Sequence, residues 1–149
     1  TRVIAQGLIR DDRGRVLLCE LTYKSDWDLP GGVVDPHEPP WAALRREVRE
    51  ELGLDLPPGS LLAVNWMPPY RQWDDAVHFV FDLGVVPDVL ERAVLDRREL
   101  AGVHWVEPAD ADQRMAPYAV RHLTSILASD SRSGPLVLED GSLPEADVT

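Results

Sequence analysis

The apolar positions of this chain change period along its length. "RVIAQGLI" (2–9) and "RVLLCELT" (15–22) are apolar runs rich in β-branched residues, and each predicts a strand. "RDDRG" (10–14) lies between them with the Asp-Asp-Arg-Gly of a hairpin turn. "WDLPGG" (27–32) predicts a short strand that ends in a turn. Helical spacing follows. Trp41, Leu44, Val48 and Leu52 recur every three or four residues, so they form one stripe that faces a core. Pro39 and Pro40 suit the first turn of that helix, where a missing N–H costs nothing. Gly53 ends the helix, and Pro57 and Pro58 prevent its continuation. "SLLAVNW" (60–66), "AVHFVFDLGVV" (76–86) and "VHWVE" (103–107) predict further strands. "MAPYAVRHLTSILAS" (115–129) returns to helical spacing.

The order is strands, helix, strands, helix. It predicts a mixed β-sheet covered by helices, an α/β/α sandwich of the α/β class. The domain is expected over 1–128. Residues 129–149 read as a polar C-terminal tail, in which the Asp-Gly of "LVLEDGSLP" (136–144) signals a small hairpin.

Length and charge narrow the function. A chain of 149 residues suits one domain with its own core. No apolar run is long enough to span a bilayer, and no signal-peptide pattern is present. Cys19 is the single cysteine, so no internal disulfide is expected, and a reducing, cytoplasmic setting is the simplest reading. The net charge of -11 repels nucleic-acid backbones and anionic membranes. The expected partner is therefore a small molecule, with no nucleic acid polymer and no membrane.

The chemistry concentrates on the helix after the Pro-Gly-Gly turn. Glu47, Glu50 and Glu51 stand at i, i+3 and i+4 and share a face beside the apolar stripe. Acids so placed repel one another. A solvated helix face explains the charge but not the bunching. Hard cations supply the missing attraction, since magnesium takes carboxylates, water and substrate phosphates. Ala43 leaves room one turn before Glu47, and Arg46 lies one turn before Glu50. The two glycines let the backbone run close to the helix and offer a carbonyl to the same site. Glu38 lies near the positive end of the helix dipole and is placed to brace the loop.

These residues resemble the signature of the Nudix hydrolases. That signature runs Gly, five residues, Glu, seven residues, Arg-Glu, aliphatic, any, Glu-Glu, any, Gly, aliphatic. Gly32, Glu38, Arg46, Glu47, Val48, Glu50, Glu51, Gly53 and Leu54 fill it without a gap. One departure is His37, where the family often has glycine before the first glutamate; a positive φ there would strain it.

The resemblance implies hydrolysis of a diphosphate joined to another group, usually a nucleoside, with Mg²⁺ or Mn²⁺. It implies Glu50 and Glu51 as principal metal ligands, with Glu47 and the Gly31 carbonyl nearby. Glu47 is either a further ligand or the general base. The family often adds an acid from a later loop, for which Glu99 is the candidate, ahead of Glu91 and Asp75. Lys24 and Arg71 are candidates to meet phosphate. Trp27, Trp66, Tyr70 and Trp73 are candidates to stack on a base, although indoles at strand ends also serve packing. His78 and His104 read as structural strand residues.

In "MPPYRQW", Pro69 and Tyr70 follow Leu54 by fifteen and sixteen residues. In some members such a proline accompanies ADP-ribose hydrolysis, and such a tyrosine accompanies diadenosine polyphosphate hydrolysis. The expected substrate is a nucleoside diphosphate derivative, either ADP-ribose-like or a nucleoside triphosphate. Two other readings stand beside it. A nucleotide-sensing domain without catalysis usually loses box glutamates, and this chain keeps them. Isopentenyl diphosphate isomerisation resembles the box but needs a catalytic cysteine, and Cys19 sits in an apolar strand. The family also commonly forms homodimers.

Overall fold

The structure is a computed structural model that describes residues 1–129 and 134–145. Its strands are β1 (Arg2–Arg10), β2 (Val16–Leu21), β3 (Gly31–Val33), β4 (Leu61–Met67), β5 (Ala76–Val85), β6 (Leu100–Val106) and β7 (Leu136–Glu139). Its helices are α1 (Pro40–Leu52), the single turn α2 (Val89–Arg92) and α3 (Pro117–Ala128), with a 3-10 turn over Pro108–Gln113 before α3. Among the described residues, no helix is long and apolar enough to cross a membrane.

All the strands join one mixed sheet in the order β6-β2-β1-β5-β4-β7, with β3 also paired to β1. β1 is the axis. It runs parallel to β5 along its length, from Arg2 opposite Ala76 to Arg10 opposite Val85. Its start pairs antiparallel with β3, and its end meets β2 at Arg10 opposite Val16. Helices cover both faces, as the α/β/α sandwich requires.

Period-2 alternation separates two cores. On one face Ala5, Ile9, Leu17 and Cys19 meet Leu44, Val48 and Leu52 of α1. On the other, Leu8, Val16, Leu18, Ala63 and Val80 meet Ala119, Leu123 and Ile126 of α3. α1 begins at Pro40 and ends where Gly53 takes the left-handed conformation, φ 66, and donates to the Arg49 carbonyl. Arg45 and Arg49 both reach Asp55 just beyond that end, at 2.7 and 3.0 Å.

Three expectations change. The strand placed at 27–32 is displaced to Gly31–Val33; upstream, only Asp28 forms an isolated bridge, to Cys19. Glycines that read as a turn can extend here because β1 supplies ladder partners to both. Trp41 leaves the core stripe. It is 40% exposed, and its indole N–H donates to the Pro58 carbonyl at 2.9 Å. Finally, part of the expected tail joins the sheet, because Leu136–Glu139 forms β7 parallel to β4. Leu138 is 2% exposed within the second core. Glu139 and Ser142 bridge around Asp140 and Gly141, which is the turn expected there. The remaining parts of the expected tail, 130–133 and 146–149, lie outside the described residues.

Because β7 closes this edge, Leu138→Ala is expected to destabilise the protein by about 2–5 kcal/mol. Urea unfolding measures it; a change below about 0.5 kcal/mol would place β7 outside the cooperative core.

Candidate active site

The three acids of α1 share a helix face but not an environment. Glu51 is 3% exposed, Glu47 is largely covered and Glu50 faces solvent. Glu51 Oε1 accepts the Gly31 amide at 3.1 Å. Burial first, and then the charge of Glu47, push the Glu51 carboxyl up to about 9, against the lowering effect of that amide. Burial also raises Glu47, and the Arg46 guanidinium beside it opposes the rise.

The glycine pair is fixed by these contacts. A Cβ on Gly31, at φ 139, would collide with the Ala5 carbonyl. A Cβ on Gly32 would stand 2.6 Å from the Glu47 carboxyl carbon. The close approach therefore requires glycine at position 31, while a side chain at 32 would displace the Glu47 carboxylate.

Arg46 organises the mouth of the site. Its Nε and Nη2 grip Glu38 at 2.8 and 2.9 Å in a two-pronged ion pair. Nη1 reaches Glu47 at 3.0 Å and Glu50 at 3.3 Å. Glu38 also accepts the Asp35 amide at 3.2 Å, so it braces the loop against the helix. This wrap needs His37 at φ 65, the positive region its neighbours require.

The later acid Glu99 is exposed, just before β6. Its charge raises both Glu47 and Glu51, so the fold brings it towards the cluster. Asp75 is engaged elsewhere, with the Trp66 indole at 3.1 Å and the Thr1 hydroxyl at 3.0 Å. Glu91 lies on the short α2.

A cleft of about 360 Å³ runs from Glu51, Gly31 and Gly32 across the sheet. Ile4, Gln6 and His78 lie along its floor, and Tyr70, Trp73 and Tyr118 line it further out. Lys24 lines it with Nζ 3.5 Å from Asp28 Oδ2. Tyr70 meets Tyr118 edge to face at 5.1 Å, and Trp73 carries the Arg2 guanidinium 4.8 Å above its ring.

Three expected substrate contacts are not in this cleft: Trp27, Arg71, and Trp66, whose indole donates to Asp75. Trp27 is held between the His104 ring, stacked at 4.2 Å, and the Arg114 guanidinium at 4.5 Å. Arg71 stands at φ 55 with its guanidinium 5.1 Å from the Tyr70 ring centre, and it does not line the cleft. Cys19 is 1% exposed in the first core, where burial pushes its thiol well up. His104 is structural as expected, bonded to Glu20 at 2.9 Å. His78, also expected to be structural, lines the cleft. Gln6 and Asp28 join it there without having been singled out. Their one signal was polarity inside strand-like apolar runs.

The donor set suits a hard divalent cation. Its side-chain donors are carboxylate oxygens, and the most buried of them has a single amide as its hydrogen-bond partner. The raised Glu51 is the mark of a carboxylate lacking a nearby positive charge. Among the described residues, no group of three or more acid, His or Cys side chains is already drawn together tightly enough to hold an ion. Arg46 holds Glu47 and Glu50 in that arrangement.

Comparison with known proteins agrees with the box and the fold. The NUDIX domain model matches residues 1–126, so the chain belongs to the Nudix family. It is 45% identical over 129 residues to the nucleoside triphosphatase NudI of Escherichia coli O1:K1 / APEC, covering 73% of this chain and 84% of that protein. It is 38% identical over 63 residues to the 8-oxo-dGTP diphosphatase of Proteus vulgaris, covering 40% of this chain and 56% of that protein. The MutT Nudix hydrolase of Burkholderia pseudomallei superposes with a TM-score of 0.70 at 25% identity, over 87% of this chain and 98% of that one. This kinship supports hydrolase activity on nucleotide diphosphates in general and selects no single substrate.

Behind the cleft, His78 and His122 stand edge to face at 5.7 Å, and burial holds both down to about 4. A histidine depressed when folded contributes its stability above the unfolded value of 6.5 and loses it as pH falls towards 4. Between neutral pH and about pH 4.5, the expected loss is on the order of 2–3 kcal/mol per histidine. Urea titrations across that window measure it. Glu51, raised to about 9, titrates in the opposite sense, so the histidine share is read as the difference between variant and wild type, and His122→Phe should remove about one histidine's loss; an unchanged slope would show that the pair is not the source.

Proposed function

We propose that this protein is a metal-dependent pyrophosphohydrolase that cleaves a phosphoanhydride bond in a nucleoside diphosphate derivative, with nucleoside triphosphates foremost. The observation that carries this reading is a cleft with the Glu51 carboxylate and the glycine turn at one end and aromatic rings at the other. Triphosphate-hydrolysing relatives favour the same class. Dinucleoside substrates stay in view because Tyr70 lines the cleft, and ADP-ribose-like ones because Pro69 precedes it in the chain.

Glu47, Glu50 and Glu51, with the Gly31 carbonyl, would hold Mg²⁺ or Mn²⁺. When bound, such ions neutralise polyphosphate charge and lower the pKa of a coordinated water. The chain's own residues do the remaining work. Arg46 orients Glu47 and Glu50 through its grip on Glu38. Glu47 or Glu99 is placed to take a proton from the attacking water. Lys24 supplies positive charge inside the cleft. The rings of Tyr70, Trp73 and Tyr118 exclude water around a base and hold it flat.

The test incubates the protein with Mg²⁺ or Mn²⁺ and a panel of nucleoside triphosphates (8-oxo forms included), ADP-ribose, dinucleoside polyphosphates, nucleotide sugars and isopentenyl diphosphate. Chromatography resolves the products. Metal-dependent turnover of a triphosphate is expected, reduced by about a hundredfold or more in Glu50→Gln. Tight binding without turnover of any compound would replace the enzyme with a nucleotide-sensing domain.

A second expectation concerns metal alone. Mg²⁺ or Mn²⁺ should raise the melting temperature of the wild type, and Glu51→Gln should lose most of that gain. An equal gain in both proteins would remove Glu51 from the metal site.

A further inference from the structure

The floor of the cleft carries a chain of polar contacts through Asp28, Gln6 and His78, none of which has a part in the phosphate chemistry above. Asp28 Oδ1 receives the Leu29 amide at 2.8 Å and Gln6 Nε2 at 3.2 Å. Lys24 approaches Oδ2 at 3.5 Å. With donors around both oxygens, Asp28 acts as an acceptor. Gln6 therefore gives its NH₂ to Asp28 and turns its oxygen to His78, where Oε1 and Nδ1 stand 3.0 Å apart. An amide oxygen only accepts, so Nδ1 of His78 carries a proton.

Burial, then the charges of Arg2 and Lys24, hold His78 down to about 4, so its ring is neutral. A neutral ring protonated at Nδ1 has a bare lone pair at Nε2. No described residue donates to it. It is not sealed away either, unlike Nε2 of His122, which is buried without a partner. The neighbouring Asn65 has both ends of its amide occupied, by Met67 Sδ at 3.0 Å and the Gly141 amide at 3.0 Å. The lone pair of His78 thus points to a ligand rather than to the fold.

We propose that Asp28, Gln6 and His78 form a tautomer lock that reads the base: the fixed acceptor at His78 Nε2 selects nucleobases presenting a ring N–H, as guanine and uracil or thymine do, over adenine and cytosine, whose corresponding ring nitrogen is bare. The inference rests on the nucleotide reading above. A ring N–H pairs the lone pair. A bare ring nitrogen sets lone pair against lone pair and leaves a desolvated acceptor unsatisfied. His78 is the specificity-determining residue, and Gln6 and Asp28 are positioning residues that act through it. Tyr70, Trp73 and Tyr118 supply stacking that any base accepts, so the discrimination falls to the floor.

The test uses the whole protein with Mg²⁺ and α,β-methylene analogues of GTP, UTP, ATP and CTP. Nitrogen-15 NMR of the imidazoles reads the tautomer, and calorimetry reads affinity. The free protein should show His78 protonated at Nδ1 and bare at Nε2. The GTP and UTP analogues should bind about tenfold or more tightly than the other two and shift the Nε2 resonance. Gln6→Leu removes the lock, so His78 should move towards the Nε2–H form and the ranking should invert towards ATP and CTP. His78→Phe should level the ranking without inverting it. Three results overturn the inference: His78 protonated at Nε2 in the wild type, equal affinity for all four analogues, or an unaltered ranking in a folded Gln6→Leu variant. Binding with no ranking and no Nε2 shift leaves the nucleotide reading standing without the lock, whereas binding of none of the four removes both.

Discussion

The buried carboxylate of Glu51 is the constraint around which the catalytic end is arranged. At 3% exposure, with one backbone amide as its hydrogen-bond partner, it is a costly group to place. It stays because the helix that carries it is anchored by Leu44, Val48 and Leu52, each fully buried. Its amide partner exists only because β3 is pulled against β1, and that approach leaves no room for a Cβ at Gly31. Gly32 then fits against the Glu47 carboxyl, and Arg46 neutralises Glu47 from the outer side. Box residues that look dispersed in sequence thus meet through one burial problem.

The charges are distributed unevenly, which has a chemical use. Glu50 is open to solvent and shares Arg46 with Glu47 and Glu38. Glu51 has no such cation. A divalent ion entering the site would find its strongest attraction at the buried acid and movable ligands at the rim. The same asymmetry explains why the metal-free side chains are not already gathered into a cage. Acids so close repel one another when ionised; Arg46 relieves Glu47 and Glu50, and Glu51, raised to about 9, is relieved by keeping its proton.

Much of this was legible in the sequence, for physical reasons that also mark its limit. Local signals were dependable. Pro40 and Gly53 bound α1, period-2 runs became strands, and Arg46 met Glu50 one turn on through helical spacing. Contacts set by tertiary packing were not legible. Trp41 has the right helical phase for the core, yet the chain after α1 offers its indole a carbonyl at the rim. Trp27 was taken for a base-stacking residue, but His104 and Arg114 already occupy both its faces. Arg71 lies beside the cleft residue Tyr70 in sequence but points its charge over that ring. The small hairpin at 136–144 was signalled by its turn, but the pairing of β7 with β4, far earlier in the chain, has no local pattern to announce it.

Gln6 and His78 show the same limit from the functional side. A glutamine or histidine within an apolar strand reads as a packing residue until the neighbouring strands are placed. Register decides the matter. Ile4 lies opposite Val33 on one side and His78 on the other, and Gln6 lies opposite Gly31. β1 therefore carries on adjacent rows the glycine turn that serves the acids and the floor that meets the opposite end of a ligand. Because strand faces alternate, a slip of one residue would send Ile4 and Gln6 to the α1 side and bring Ala5 into the cleft. The spacing between the carboxylate end and the far end is thus set by strand geometry, at about 3.3 Å per residue, rather than by loop conformation. On the proposed reading, a rigid ruler of this kind would let one cleft hold a polyphosphate near Glu51 while the remote end of the ligand is gripped at a fixed distance.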